Sequence, residues 1–232
     1  EIYKFNCHFL SVACFPIGKH LPQWRKCEAY NLAVQTRVHF NKPSLRSSLK
    51  GRLRGDLRVG RIRMTEQKSS FTYEDLIACA KGELFGADAP PLPLPPMLMM
   101  DRITEINADG GSAGKGHITA EFDIKPDLWF FPCHFESDPV MPGCLGLDGV
   151  WQLVGFFLGW SGARGKGRAI GAGEIKLSAM ITPANKVVRY EIDMTRVINR
   201  KLILAQADGK VYVDDELAFT ITGVKVGVFN ED

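Results

Sequence analysis

The segment from Trp129 to Trp160 places proton-transferring residue types in otherwise apolar surroundings. His134 lies in a stretch punctuated by prolines, and Asp148 comes 14 residues later. Histidine exchanges a proton close to neutral pH. A carboxyl group in an apolar environment tends to keep its proton, because burial penalises the charged form. The pair is therefore predicted to act as a base and an acid in one apolar site.

Two elements must position this pair. His134 is predicted to lie in a loop, and Asp148 in a helix that opens at Pro142-Gly143, since proline suits a first helical turn. The run that follows is apolar nearly all round, which predicts a buried helix. With Asp148 and Gln152 inside it, the run falls short of the roughly 20 apolar residues of a membrane span. We expect Gln152 to pack in the core or to support the acid.

The first turn of this helix has a chemical consequence. The N–H groups of Gly143, Cys144 and Leu145 are expected to have no intrahelical partner and to lie at the positive end of the helix dipole. Such donors stabilise a carbonyl oxygen that gains negative charge. A base, a protonated acid and this oxyanion site together fit removal of a proton next to a carbonyl, with Asp148 expelling a β-hydroxyl group as water.

From Met64 to its end the chain resembles the bacterial 3-hydroxydecanoyl-acyl-carrier-protein dehydratase/isomerase family. The longest shared motif is DPVMPGCLGLDGVWQLVGFFLGW at 138–160, preceded by DLWFFPCHF at 127–135. Shorter matches are GELFG at 82–86, MLMMDRI at 97–103, GAGEIK at 171–176 and ADGKVYVD at 207–214. The central motif is too long to be explained by chance.

The resemblance implies an α+β hot-dog fold, in which an antiparallel sheet wraps around a long central helix, and a homodimer with two sites at the subunit interface. In that family the base and the acid of one site come from different subunits. His134 matches the catalytic histidine and Asp148 the catalytic aspartate. Gly143 matches the residue whose N–H holds the thioester carbonyl, and Cys144 lies beside it. The resemblance implies no cofactor.

The implied reaction is dehydration of a (3R)-3-hydroxyacyl thioester to the trans-2-enoyl product, then isomerisation to the cis-3 product for unsaturated fatty-acid synthesis. A related dehydratase without useful isomerase activity carries Glu where this chain has Asp148, which favours the bifunctional member. Phe135, Val140 and Trp151 are the candidate residues of the acyl tunnel. The expected partner is acyl carrier protein.

Other functions stay open at this stage. The chain is also compatible with a hot-dog enzyme that only dehydrates, with an acyl thioesterase in which His134 or Asp148 activates water, and with a non-catalytic acyl-binding module. Cys133, His134 and Cys144 lack the paired short spacings of zinc sites, so no metal is expected.

The rest of the chain favours an antiparallel sheet. Strands are predicted at 97–106, 117–124, 169–180 and 187–197, the last with strict alternation of apolar and polar residues. Further strands at 202–207, 210–213 and 218–229 are separated by predicted turns at Asp208-Gly209 and near Asp214-Asp215. A short helix at 72–79 is predicted to be capped by Thr72 or Ser70. Successive strands with short turns exclude a parallel nucleotide-binding sheet.

Residues 1–63 differ from the remainder in charge. They hold 13 Lys and Arg against three Asp and Glu, while residues 64–232 hold 16 against 23, which together give the 29 and 26 of the whole chain. We interpret 1–63 as a basic N-terminal extension, disordered or translated from upstream sequence, and 64–232 as one hot-dog dehydratase domain. Nucleic-acid binding or a transit peptide are alternatives for the extension; we expect neither a nucleic-acid nor a membrane partner.

Cysteine usage in the predicted domain indicates a reducing compartment. Cys79, Cys133 and Cys144 are odd in number and lack the spacing of a disulfide framework. A cytoplasmic enzyme is therefore expected. The basic residues Arg164, Lys166 and Arg168, just after the long helix, are the candidate docking patch for acyl carrier protein.

Overall fold

The computed structural model describes residues 67–200 and 202–229. The extension predicted at 1–63 lies outside the described residues. The chain forms helix α1 (Tyr73–Ala80), strands β1 (Arg102–Asn107) and β2 (His117–Asp123), helices α2 (Phe131–His134) and α3 (Gly143–Trp160), and strands β3 (Lys166–Gly171), β4 (Ile175–Leu177), β5 (Val187–Asn199), β6 (Ile203–Val213) and β7 (Glu216–Phe229).

Helix α1 begins where its capping residue predicts. The Thr72 hydroxyl accepts a hydrogen bond from the Asp75 N–H, and the Asp75 carboxylate accepts one from the Thr72 N–H. This reciprocal arrangement satisfies two N–H groups that a helix start otherwise leaves unpaired. Of the two predicted caps, Thr72 is confirmed.

The strands form one antiparallel sheet in the order β1-β2-β5-β6-β7-β3, with β4 also paired to β7. Burial alternates along β2 and most of β5, as expected for strands with one covered face. The predicted antiparallel sheet is confirmed, and a sheet of this kind with few helices fits the hot-dog fold.

Three predictions for the sheet are wrong in detail. The strand predicted at 97–106 begins only at Arg102. The single strand predicted at 169–180 is split into β3 and β4, because the chain between them bonds irregularly to Thr222 of β7: the Gly173 N–H donates to the Thr222 carbonyl, and the Thr222 N–H donates to the Glu174 carbonyl. The turn predicted at Asp208-Gly209 is absent, since β6 runs through both residues.

Gly209 serves helix packing instead of a turn. A Cβ atom there would lie 3.2 Å from a methyl group of Val150 in α3, so the glycine allows the helix to approach the strand. The turn predicted near Asp214-Asp215 is confirmed, and both residues have positive φ angles of 47° and 69°. These backbone angles match the tight turns that join adjacent antiparallel strands.

Helix α3 lies against the sheet and contacts β2, β3, β5, β6 and β7. It begins at Gly143, as predicted, and 13 of its 18 residues are buried. Gly146 lets the helix approach β7 closely, because a Cβ atom there would lie 2.4 Å from the ring of Phe219. Across the described parts of the chain, no helix combines the length and the apolarity that a membrane crossing needs.

His117 joins two neighbouring strands. Its Nδ1 lies 2.6 Å from a carboxylate oxygen of Asp193 in β5, and its Nε2 lies 2.9 Å from the hydroxyl of Thr119. The ring is partly buried and links β2 to β5.

Candidate functional site

His134 is the last residue of the one-turn helix α2. The loop predicted around it is wrong at this point, because Phe130 and Phe131 are buried and hold the turn, and the His134 N–H donates to the Phe130 carbonyl at 2.9 Å. The two phenylalanine rings meet edge to face, with centroids 4.6 Å apart. His134 therefore projects from a short segment that is anchored in the core.

One hydrogen bond fixes the tautomer of the neutral His134 ring. Its Nδ1 lies 2.9 Å from the Val140 carbonyl oxygen. A carbonyl only accepts hydrogen bonds, so Nδ1 must carry the proton and donate it. In the neutral ring the lone pair is then on Nε2, which makes Nε2 the nitrogen that takes up a proton.

The opening of α3 presents two unpaired N–H groups. Pro142 is the N-cap and supplies no side-chain hydrogen bond to the helix. In the described part of the chain no acceptor binds the N–H of Gly143 or of Cys144. The prediction for Leu145 is wrong, because its N–H donates to the Pro142 carbonyl at 2.9 Å. Gly143 and Cys144 therefore remain as donors for a negatively charged oxygen.

Asp148 lies one turn further along α3 and is held by Gln152. The Gln152 side-chain amide donates to the Asp148 carboxyl at 2.6 Å and to the Met97 carbonyl at 2.8 Å. The amide oxygen of Gln152 accepts from the Met99 N–H at 3.1 Å. Gln152 therefore ties the acid to the segment before β1. The sequence placed Gln152 beside Asp148 but did not reveal its bonds to residues more than 50 positions earlier.

Burial raises the pKa of Asp148 above its ordinary value, and the hydrogen bond from Gln152 opposes part of this rise. The carboxyl is thus more easily kept protonated than an exposed aspartate. A protonated carboxyl can donate to a leaving hydroxyl group. The described residues include no hydrogen bond between the His134 ring and the Asp148 carboxyl.

A cavity of about 310 Å³ opens beside the start of α3. Val140 and Gly143 line it, together with the segment 177–181 and Phe219. Two other residues were predicted to line the tunnel. Phe135 is exposed, and its ring centroid lies 4.1 Å from that of His134. The ring N–H of Trp151 donates to the Gly171 carbonyl at 3.2 Å. Neither belongs to the lining of this cavity, so their assignment to the tunnel stays a prediction.

A model of the FabA-like domain matches residues 92–222, which is more than half of the chain. The chain belongs to the FabA-like domain family. The matched region includes His134, Gly143, Asp148 and Gln152, and every strand except the end of β7.

Several solved structures are similar to this chain. The dehydratase heterocomplex ApeI:P from Xenorhabdus doucetiae is 13% identical, with 60% of this chain and 87% of that chain covered at a TM-score of 0.47. Cj0977, a sigma28-regulated virulence protein from Campylobacter jejuni, is 10% identical, with coverages of 60% and 82% and a TM-score of 0.42. The uncharacterized protein PH1136 from Pyrococcus horikoshii is 6% identical, with coverages of 59% and 88% and a TM-score of 0.42.

Membership of the FabA-like family supports a dehydratase-type function and a hydro-lyase type of enzyme. The described residues contain no group of three or more His, Cys, Asp and Glu side chains that could hold a metal ion. Cys133 and Cys144 are exposed free thiols, and Cys79 is a buried one.

Proposed function

We propose that this FabA-like protein dehydrates (3R)-3-hydroxyacyl thioesters carried by acyl carrier protein, with 3-hydroxydecanoyl as the preferred acyl group, and isomerises the product. The observation that carries the proposal is the fixed tautomer of His134. Because the Val140 carbonyl binds Nδ1–H, Nε2 is available as a base. A histidine held in this way is suited to remove a proton from a substrate.

The dehydration follows from three groups. The N–H groups of Gly143 and Cys144 hold the thioester carbonyl and stabilise the negative charge that forms on its oxygen. His134 Nε2 removes the α-proton, and the electrons of that C–H bond are held as an enolate on the thioester oxygen. As these electrons form the double bond between the α and β carbons, the β C–O bond breaks and Asp148 protonates the departing hydroxyl. The hydroxyl leaves as water, and the product is the trans-2-enoyl thioester.

Isomerisation uses the same groups on the bound product. A proton removed from the γ carbon and another returned to the α carbon move the double bond to the cis-3 position. His134 is the group that handles the proton at the far carbon. This step is supported by the resemblance of the 138–160 motif to the bifunctional family and by aspartate, in place of glutamate, at position 148.

We propose that the active form is a homodimer whose sites combine His134 of one subunit with Asp148 of the other. In the single chain these side chains share no hydrogen bond among the described residues. Leu177 and Met180, both at the cavity beside Gly143, are 50% and 69% exposed. Large apolar side chains exposed beside a cavity are typical of a surface that a partner covers.

Acyl carrier protein is the proposed partner, and the groove near Arg164, Lys166 and Arg168 is its proposed docking site. These residues line a groove with a volume of about 540 Å³, together with residues 87–89 and Pro91. Arg164 and Arg168 donate to the carbonyls of Ala163 and Gly167, and neither forms an ion pair within the described residues. The charges of Arg164 and Arg168 are therefore available to an acidic protein surface. A cytoplasmic location stays a prediction.

Product analysis of the full chain tests the proposed reaction. Incubation with a (3R)-3-hydroxydecanoyl thioester is expected to give both trans-2 and cis-3 decenoyl thioesters, and His134→Ala is expected to give neither. Removal of a general base typically lowers the rate by about 10²- to 10⁴-fold. The measurement is chromatography with mass spectrometry.

The other outcomes separate the alternatives. Formation of trans-2 product alone would reduce the proposal to a dehydratase without isomerase activity. Release of a free thiol without enoyl product would indicate a thioesterase. Product formation by His134→Ala at the rate of the unchanged protein would remove His134 from the mechanism.

A further inference from the structure

Tyr190 of β5 carries a polar group that the fold leaves without a partner. Its side chain is fully buried, and its hydroxyl is the one buried side-chain nitrogen or oxygen atom in the described residues that lacks a hydrogen bond. A buried hydroxyl without a partner destabilises a protein, whereas a phenylalanine of the same shape avoids that cost. An unpaired group of this kind in a native structure therefore calls for a functional explanation.

The hydroxyl lies against the helix that carries the acid. Tyr190 is in the middle of the sheet, paired with Ala120 of β2 and Val211 of β6. A Cβ atom on Gly149 would lie 2.8 Å from the Tyr190 hydroxyl oxygen. Gly149 follows Asp148 directly in α3. The absence of a side chain at position 149 thus brings the hydroxyl next to the peptide unit of the acid.

Burial and neighbouring negative charge keep this hydroxyl protonated. Burial raises the pKa of Tyr190, and the negative charges of Asp148 and Asp101 raise it further. These two carboxyl groups, from α3 and from the residue before β1, are the ionisable groups that act on it. Tyr190 therefore retains its proton and can only contribute as a hydrogen-bond donor or acceptor.

Asp148 has room for a second donor. Within the described residues its carboxyl receives one hydrogen bond, from Gln152 to Oδ2. In the proposed reaction Asp148 gives its proton to the leaving hydroxyl and becomes a carboxylate in a largely apolar environment. A carboxylate gains more from an additional donor than the neutral acid does. A donor that is unpaired before this step and paired after it lowers the barrier to the step.

We propose that Tyr190 is a positioning residue for Asp148. As the acid releases its proton, the Tyr190 hydroxyl donates a hydrogen bond to the Asp148 carboxylate, directly or through one water molecule. This inference rests on the proposed dehydration. The proton that leaves is the one on Asp148, the C–O bonding electrons depart with the hydroxyl as water, and Tyr190 keeps its own proton throughout.

The test compares Tyr190→Phe with Tyr212→Phe in the full chain. Tyr212 is a partly exposed tyrosine of β6, and the guanidinium carbon of Arg189 lies 4.5 Å from its ring centroid. Tyr212→Phe therefore makes the same chemical change away from Asp148. With a (3R)-3-hydroxydecanoyl thioester, Tyr190→Phe is expected to lower kcat about 10- to 100-fold, as for loss of one hydrogen bond to a charged group. KM and the thermal midpoint are expected not to fall, and Tyr212→Phe is expected to change none of these values.

The pH profile and a titration separate this inference from the proposed function. Without the donor the Asp148 carboxylate is less stable, so the alkaline limb of kcat that reports Asp148 is expected to move to higher pH. A titration of the ¹³C-labelled Asp148 carboxyl, assigned with Asp148→Asn, is expected to show the same direction without any substrate. If the unchanged protein forms no enoyl product, the proposed function fails while the titration still tests Tyr190.

Two results would overturn the inference. One is an active parent protein whose Tyr190→Phe variant keeps the parental kcat and pH limb. The other is an Asp148 titration midpoint that is the same in Tyr190→Phe as in the parent. Either would show that the hydroxyl does not act on the acid.

Discussion

At the scale of single residues, the burial of Asp148 favours the proposed chemistry but lowers the stability of the folded chain near neutral pH. Its pKa is raised by burial, so the charged form is less favourable in the folded chain than in the unfolded chain. Its contribution to stability is therefore greatest below the unfolded pKa, near the ordinary aspartate value of 3.8, and is lost as pH rises through the higher folded pKa. Asp148→Asn removes this loss, because the neutral side chain still accepts the hydrogen bond from Gln152.

Asp148→Asn is expected to lower kcat for dehydration by about 10²- to 10⁴-fold, as for loss of a general acid. The free energy of unfolding is expected to exceed that of the parent at pH 7 and to approach it as pH falls below 4. Denaturant unfolding at several pH values measures this difference. The exposed Asp109 provides the matched control, since Asp109→Asn is expected to change neither quantity. Equal stability of Asp148→Asn and parent at pH 7 would contradict the argument.

The sequence revealed some of these residues and not others. His134, Asp148 and Gly143 stand out by type and spacing within one apolar run. The bonds of Gln152 to Met97 and Met99, and the contact of Tyr190 with Gly149, join segments 40 or more residues apart. Such proximity depends on how the helix lies on the sheet, which no local pattern specifies.

At the scale of elements, two glycines of α3 differ in what surrounds them. A Cβ atom on Gly146 would lie 2.4 Å from the Phe219 ring of β7, while one on Gly155 would meet nothing within 4 Å. Gly146→Ala is expected to lower the free energy of unfolding by about 1–3 kcal/mol, because the buried ring must move. Gly155→Ala is expected to raise it by up to about 1 kcal/mol, because alanine is the better helix former. Chemical denaturation of both variants measures the difference.

The same contacts explain which element boundaries the sequence predicts well. The start of α3 is marked by Pro142 and the start of α1 by Thr72, and both signals are local. Asp208-Gly209 is also a local turn signal, yet β6 runs through it because Gly209 accommodates Val150 of α3.

If Gly146→Ala proved as stable as Gly155→Ala, close packing of α3 on β7 would not be what requires glycine at position 146.

At the scale of the whole molecule, the single chain exposes apolar side chains that a partner is expected to cover. Ile170 and Phe229 are 49% and 45% exposed, and both lie within 3.0 Å of the position that a Cβ atom on Gly227 would take. They are therefore neighbours on the β3 and β7 side of the sheet. Both residues can be read in the sequence, but their shared exposure follows only from the fold.

Mixing two inactive variants tests whether the sites are shared between subunits. His134→Ala and Asp148→Asn, co-expressed and randomly paired, form hybrid dimers in half of the molecules, and each hybrid has one site with both residues intact. The mixture is therefore expected to regain about a quarter of the parental activity if each site combines two chains. Co-expression of two differently tagged His134→Ala chains is the control and is expected to stay inactive. If His134 and Asp148 acted within one chain, no molecule of the mixture would hold an intact site. A mixture as inactive as the control would therefore rule out the shared site.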